Sequence, residues 1–233
     1  MRTLQHHRIR FLVAGTGALV VAATSAIIVP SALAAAPKTT VADQPATTHC
    51  DVTFTGTNNA VINVPAPQTY CLVNLNQVGA VNVSPGAGLS VTKGSVINGA
   101  ITLTGAKAFT FCNSSTVGGA ISAATGSGFL IIGNGGDGGK LATPCGANTI
   151  GGAVTLAGNL GGVEVGGTNI LGALTVSDNI APNLGTPTEN NATEIEGNTV
   201  VGLTTCAGNV PPPTNDGHKN TFTGGANGQC ARL

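Results

Sequence analysis

From Val81 to Val165 the chain moves in short bursts of alternating character. Val81-Asn82-Val83, Ile101-Thr102-Leu103, Val154-Thr155-Leu156 and Val163-Glu164-Val165 each set apolar residues two apart around a polar one. Successive side chains of a strand point to opposite sides, so each burst predicts a short strand with apolar residues inward and the polar residue outward. No apolar spacing of helical period occurs between Cys50 and Leu233. The chain is therefore expected to be all-β and almost free of α-helix.

The bursts recur at a fixed distance. NTIGGAVTLAGN, residues 148–159, returns as TNILGALTVSDN, residues 168–179, so that Ile150, Gly152, Val154, Leu156 and Asn159 correspond to Ile170, Gly172, Leu174, Val176 and Asn179. The segments opening at Gly79, Gly99 and Gly119 repeat the same core. A second track, sharing the period, aligns Tyr70 and Leu72 with Leu89 and Val91, then with Phe109 and Phe111, then with Phe129 and Ile131. A match held in register at one offset marks a stacked repeat.

Three strands fit one repeat, around Ile150, around Val154 to Leu156 and around Val163 to Val165, with Gly or Asn between them. The expected fold is a right-handed parallel β-helix, a β-solenoid of about eight triangular coils of roughly 20 residues, each lying ~4.8 Å from the last. Val154 and Leu174 are expected inside, Thr155 and Thr175 outside. Two insertions interrupt the period, at 133–147 and at 180–197, and loops leaving a stack at a corner are where binding would be carried. Asn98, Asn148, Asn159, Asn179, Asn198 and Asn220 recur near corners. Their amides are expected to cap the turning backbone or to stack in ladders.

The N-terminus belongs to a different pattern. Arg2, Arg8 and Arg10 precede an apolar run from Phe11 to Val29 and the small residues Ser31-Ala32-Leu33-Ala34. This is the layout of a secretory signal peptide, residues 1–34, cut near Ala34. Residues 35–49, rich in Ala, Pro and Thr, form a flexible linker before the solenoid at 50–233. No later segment is apolar enough to span a bilayer, so a soluble exported protein with no membrane contact after cleavage is expected.

Charge narrows the partners. Only 8% of the residues are charged, against about a quarter in ordinary globular domains. Loss of the signal leaves six basic residues against nine acidic, a net charge of −3, which excludes a basic nucleic-acid footprint. Six cysteines in an exported chain suggest three disulfides. Fifteen connectivities are open to six cysteines, and the repeat register favours neighbours. Residues one coil apart lie at a distance that a disulfide accepts, which favours Cys50 with Cys71 and Cys206 with Cys230 and leaves Cys112 for Cys145.

At the C-terminus Thr199, Val200 and Gly202 correspond to Thr221, Phe222 and Gly224, setting Cys206 opposite Gly228 in a closing pair of coils. The NT-[VIF]-x-G cores, the PTN-x-G spacer and the closing GQC-A-x-L resemble a group of uncharacterised exported actinobacterial proteins with right-handed parallel β-helix repeats. The resemblance spans Cys50 to Leu233 and implies this fold and compartment. It brings no activity, cofactor or functional residue.

Candidate chemistry is sparse. Glu164 stands as the one acidic residue in a clear strand, with neutral sequence one coil away, and Arg232 is the one arginine left after the signal. General acid and base catalysis needs two groups converging on one bond. Glu189, Glu194 and Glu196, with Asp216 in a later spacer, form an acidic cluster expected on a solvated loop. His49 and His218 lie at opposite ends without metal-ligand spacing, and Ser114 and Ser115 lack a nearby base. Gly133 to Gly139 holds one Asp among glycines, a single copy of a calcium nonapeptide that works only in tandem. No catalytic residue, metal site or cofactor is assigned.

The expected function is that of a secreted structural or adhesive protein at or near the cell envelope, its partners a cell-wall glycan or another extracellular protein. A carbohydrate-binding or polysaccharide-processing β-helix is the alternative, weakened by the lack of Trp and the single Tyr, Tyr70. Assembly into filaments through the ends is a third, opposed by the closure of the C-terminal coil.

Overall fold

The computed structural model describes residues 49–134, 145–181 and 193–233, all within one unit of the fold. The signal peptide, most of the linker, the glycine-rich stretch from 135 on and Glu189 lie outside the described residues. Among the described residues are twenty-one β-strands and one 3-10 helix, Gln229–Arg232. Every pairing between strands is parallel. The chain is a parallel β-helix.

Each coil contributes a strand to three faces. The first face runs from Thr69–Gln77 through Gly88–Thr92, Ala108–Phe111, Leu130–Ile132 and Val163–Gly166 to Thr193–Glu196. The second runs from the end of Thr69–Gln77 through Val96–Ile97, Thr116–Val117, Asn148–Ile150, Thr168–Ile170 and Thr199–Val200 to Thr221–Phe222. Thr69–Gln77 is long enough to serve both faces and joins them in one sheet. The third face is a separate sheet of eight strands, from Ile62–Val64 to Ala226–Gly228. Val52–Asn58 lies beside Thr69–Gln77 at the N-terminal end.

The core is a stack of matching side chains. On the third face Ile62, Val81, Ile101, Ile121, Val154 and Leu174 follow one another in register, each at most 4% exposed. On the second, Ile97, Val117, Ile150, Ile170 and Val200 do the same, all fully buried. Thr155 and Thr175 face outward and are half-buried. Burying a Val, Leu or Ile side chain contributes roughly 1.5–3 kcal/mol, and a coil supplies several, though none could bury them alone.

One alignment of the sequence is corrected. Phe109 pairs with Leu130 and Phe111 with Ile132, not with Phe129 and Ile131. The coil between them carries one extra residue at the corner 125–129, and a slip of one exchanges the two sides of a strand. Leu130 and Ile132 therefore enter the core. Ile131 turns outward and, with Phe129, packs on Cys112 and Cys145 in a small apolar cluster of its own.

Two features of the corners explain the repeat residues. Between the second and third faces stands a column of glycines that includes Gly99, Gly119, Gly152, Gly172 and Gly202. A methyl group on Gly172 would lie 2.5 Å from the carbonyl carbon of Gly152 in the preceding coil, so the backbones touch and no side chain fits. After the third face, Asn159, Asn179 and Asn209 are buried and their amides form a ladder. Asn159 Nδ2 donates to Asn179 Oδ1 at 2.7 Å, Asn179 Nδ2 to Asn209 Oδ1 at 2.9 Å, and Asn209 Nδ2 to Gln229 Oε1 at 3.0 Å. Each asparagine also donates to a carbonyl of the preceding coil, as Asn179 does to Leu156 O at 3.0 Å. A second ladder joins Asn198 to Asn220 at 3.0 Å. Asn148 occupies the same corner two coils earlier, its Oδ1 accepting from Ser115 N at 3.1 Å. Asn98 is different: it is exposed, outside both ladders.

Three disulfides join Cys50 to Cys71, Cys112 to Cys145 and Cys206 to Cys230, with Cα separations of 5.6, 4.3 and 5.1 Å. Cys206 continues the inward column of Leu156 and Val176 and is fully buried. The 3-10 helix carries Cys230 onto it. At the other end the Asp51 carboxylate accepts from Thr69 N at 2.6 Å, fixing the first turn beside Cys50.

Candidate functional site

The outer side of the first face departs from the repeat. Cys71, Ser90, Thr110, Ile131, Glu164 and Glu194 follow one another along it in register. On the second and third faces such positions are exposed or half-buried, but here Cys71, Ser90 and Ile131 are buried, Glu164 is 2% exposed, Glu194 4% and Glu196 fully buried. Two expectations are corrected here. Glu164 has an acidic neighbour one coil on, since Val163-Glu164-Val165 pairs with Thr193-Glu194-Ile195. Glu194 and Glu196 are not on a loop but in the strand Thr193–Glu196, so the stretch 180–197 contains part of a regular coil.

The physical reason is the second insertion. Second-face residues Asn169 and Ile170 pair with Thr199 and Val200, thirty residues on, and the first face keeps that same offset. A scan at twenty residues places Glu164 beside neutral sequence. A scan at thirty, anchored on Gly172 and Gly202, would have matched V-E-V with T-E-I.

Stacked carboxylates repel, and taking them from water adds a desolvation cost unless other groups compensate. Glu164, Glu194 and Glu196 are each engaged by other groups. Thr214 extends the face by bridging to Glu194, its N–H donating to Thr193 O at 3.1 Å and its carbonyl accepting from Ile195 N at 2.9 Å. Beyond it, Pro211 to Gly217, Arg232 and Leu233 line an open groove of about 750 Å³. Asn215 Nδ2 donates to Leu233 O at 3.2 Å, so the spacer and the C-terminus form one wall. Arg232, at the end of the chain, and Asp216 both belong to the lining of this groove.

The remaining candidates stay dispersed. His49 lies 3.5 Å from Asp51, both at the N-terminal end, while His218 is half-buried and its carbonyl accepts from Gly197 N at 3.1 Å. Ser115 is fully buried and its hydroxyl donates to Cys112 O at 2.7 Å, so it serves the turn. Among the described residues no group of three His, Cys, Asp or Glu side chains has the arrangement to hold a metal ion.

Along two outward rows of the accessible surface the chemistry is instead uncharged and periodic. Along the third face Asn82, Thr102, Ser122, Thr155, Thr175 and Thr205 occupy one outward row. Along the second, Thr116, Thr149, Asn169, Thr199 and Thr221 occupy another. At the start of the third-face row Asn82 Nδ2 donates to Asn63 Oδ1 of the preceding coil at 2.9 Å.

Fold and surface define the class of a disulfide-linked parallel β-solenoid. Comparison with protein-family models, curated proteins and solved structures finds no match.

Proposed function

We propose that the chain is a secreted structural or adhesive β-solenoid acting at or near the cell envelope, without catalytic activity. One observation carries this reading: the outward rows from Asn82 to Thr205 on the third face and from Thr116 to Thr221 on the second are hydroxyl and amide side chains repeated once per coil, with no charge among them. Rows of this kind suit contact spread over a long surface rather than chemistry focused at one point. The three disulfides accord with an oxidising compartment, and no helix among the described residues is long and apolar enough to cross a membrane. The N-terminal pattern and the resemblance to exported actinobacterial solenoids support secretion. Fractionation of the producing cells tests the proposal: recovery in the medium or with the wall supports it, and retention in the cytosol refutes it.

A second reading is carbohydrate binding, favoured by the same rows, which offer a hydrogen-bonding group at every ~4.8 Å along a polymer. Its weakness is the absence of Trp and the single Tyr, since sugar rings commonly stack on aromatic faces. Glycan-array binding separates the two readings, with retention of defined oligosaccharides supporting the second.

A further inference from the structure

Among the described residues, six of the nine large apolar side chains left in water gather about the C-terminal half of one sheet. Leu171 and Val201 line one margin of the third face, with Leu203 following Ala153 and Ala173 in the row just inside it, and Leu160, Ile180 and Val210 line the other, each of these large side chains between 48% and 58% exposed. The backbone holds them in columns: Leu171 N donates to Ile150 O and Val201 N to Ile170 O, both at 2.9 Å, while Ile180 N donates to Asn159 O at 2.8 Å and Val210 N to Asn179 O at 2.9 Å. Between the margins lie the small side chains of Ala153, Thr155, Ala173, Thr175 and Thr205. No strand of this sheet carries a charged residue, and its rim holds one charge of each sign, Asp178 and, in the column of Leu160, Ile180 and Val210, the exposed Lys107.

We propose that the third face is the interface of a homodimer, in which a second copy of this chain packs its own third face against it. Three properties select a second copy. The face is neutral, so two identical surfaces meet without repulsion, as an isologous contact requires. Its central row from Ser122 to Thr205 is small, letting two sheets approach to the ~10 Å of face-to-face packing while the larger side chains beside it close around them. Its size also fits. Eight strands at ~4.8 Å span about 34 Å, and a strand with both margins is about 20 Å wide, giving roughly 700 Å² on each copy. A standard stable interface uses about 800 Å² on each partner. A dimer formed this way buries the third-face row and leaves the second-face row in water, so the envelope role would then rest on the second face alone.

Sedimentation equilibrium of the purified protein tests it, with the double variant Thr155→Lys/Thr175→Lys as the decisive comparison. Both positions face outward, so the fold should survive, as unchanged far-UV circular dichroism and melting temperature would show. Like charges set against each other across the two-fold axis should weaken dimerisation about a hundredfold or more. The control Thr149→Lys/Asn169→Lys puts the same charges on the second face and should leave the dimer intact. A wild-type protein that stays monomeric up to about 100 μM, well above the range of a standard interface, overturns the proposal. So does a dimer that survives the third-face charges, or one equally disrupted by the control. A monomer that binds an insoluble polysaccharide through this face, losing it on Thr155→Lys/Thr175→Lys, would also overturn it and give the face to a glycan.

Discussion

Replacing Gly172 by alanine should destabilise the solenoid far more than adding one methyl group normally does. The new carbon would lie 2.5 Å from both the carbonyl carbon and the oxygen of Gly152, and 2.6 Å from Ala153 N. Ordinary contact begins near 3.4 Å, so the two coils must part locally by about 0.9 Å. The hydrogen bonds on either side, Leu171 N to Ile150 O at 2.9 Å and Val154 N to Ala173 O at 2.8 Å, would then stretch to about 3.7–3.8 Å, beyond useful range. Two weakened backbone bonds at about 1 kcal/mol each, added to overpacking strain of a further 1 kcal/mol or more, come to about 3 kcal/mol. For a chain of this size that lowers the melting temperature by about 6–12 °C. Gly158 is the control, because its φ of +63° strains any other residue while nothing lies within 4 Å of an added methyl group. Gly158→Ala should cost about 1 kcal/mol, the ordinary left-handed penalty. Calorimetric melting of both variants decides the matter. A Gly172→Ala loss no larger than that of Gly158→Ala would refute the claim that backbone contact between coils requires the glycine column.

Thr204 takes the place of Leu174 in an inward column, is fully buried, and leaves its hydroxyl without a hydrogen bond. Thr204→Val should therefore raise stability by about 1 kcal/mol, and no change in the urea midpoint would contradict it. Val154→Asp should prevent folding or cost several kcal/mol, because it buries an unpaired carboxylate. Thr155→Asp, one residue along and facing outward, should cost less than about 1 kcal/mol. Equal losses would mean that the two faces of the strand are assigned wrongly. Removing the closing disulfide by Cys206→Ala/Cys230→Ala should cost about 3 kcal/mol. Non-reducing peptide mapping that links Cys206 to Cys50 or Cys112 would overturn the pairing.

The sequence made the coil legible wherever one offset held. Gly99, Gly119, Gly152 and Gly172 could be matched by eye because backbone contact permits nothing else there. The inward Val, Ile and Leu residues could be matched because alternation has only two sides. Legibility failed where residues had been added. One extra residue before Leu130 exchanged the assignments of Phe129, Leu130, Ile131 and Ile132, all of them apolar or aromatic and so silent about which way they point. Ten more between Asn179 and Asn209 hid the partnership of Glu164 with Glu194. The columns of exposed Leu, Ile and Val beside the third face were equally hidden. An apolar residue at a corner looks like core until the stacking places it outside.

A stack whose units touch only their neighbours comes apart like a zipper, from whichever end opens first. Cys50–Cys71 clasps the opening coils, Cys206–Cys230 the closing ones, and Cys112–Cys145 the coil at the first insertion. Neither end can peel away freely, because the first segment to loosen remains tethered to the coil beneath it and is drawn back. Partial opening is then confined to the middle, where coils on both sides hold the strands and a protease finds no loose terminus of the solenoid to grip. Reduction would change the order of events as well as the total stability, turning all-or-none loss into stepwise fraying that begins at Val52 and at Leu233.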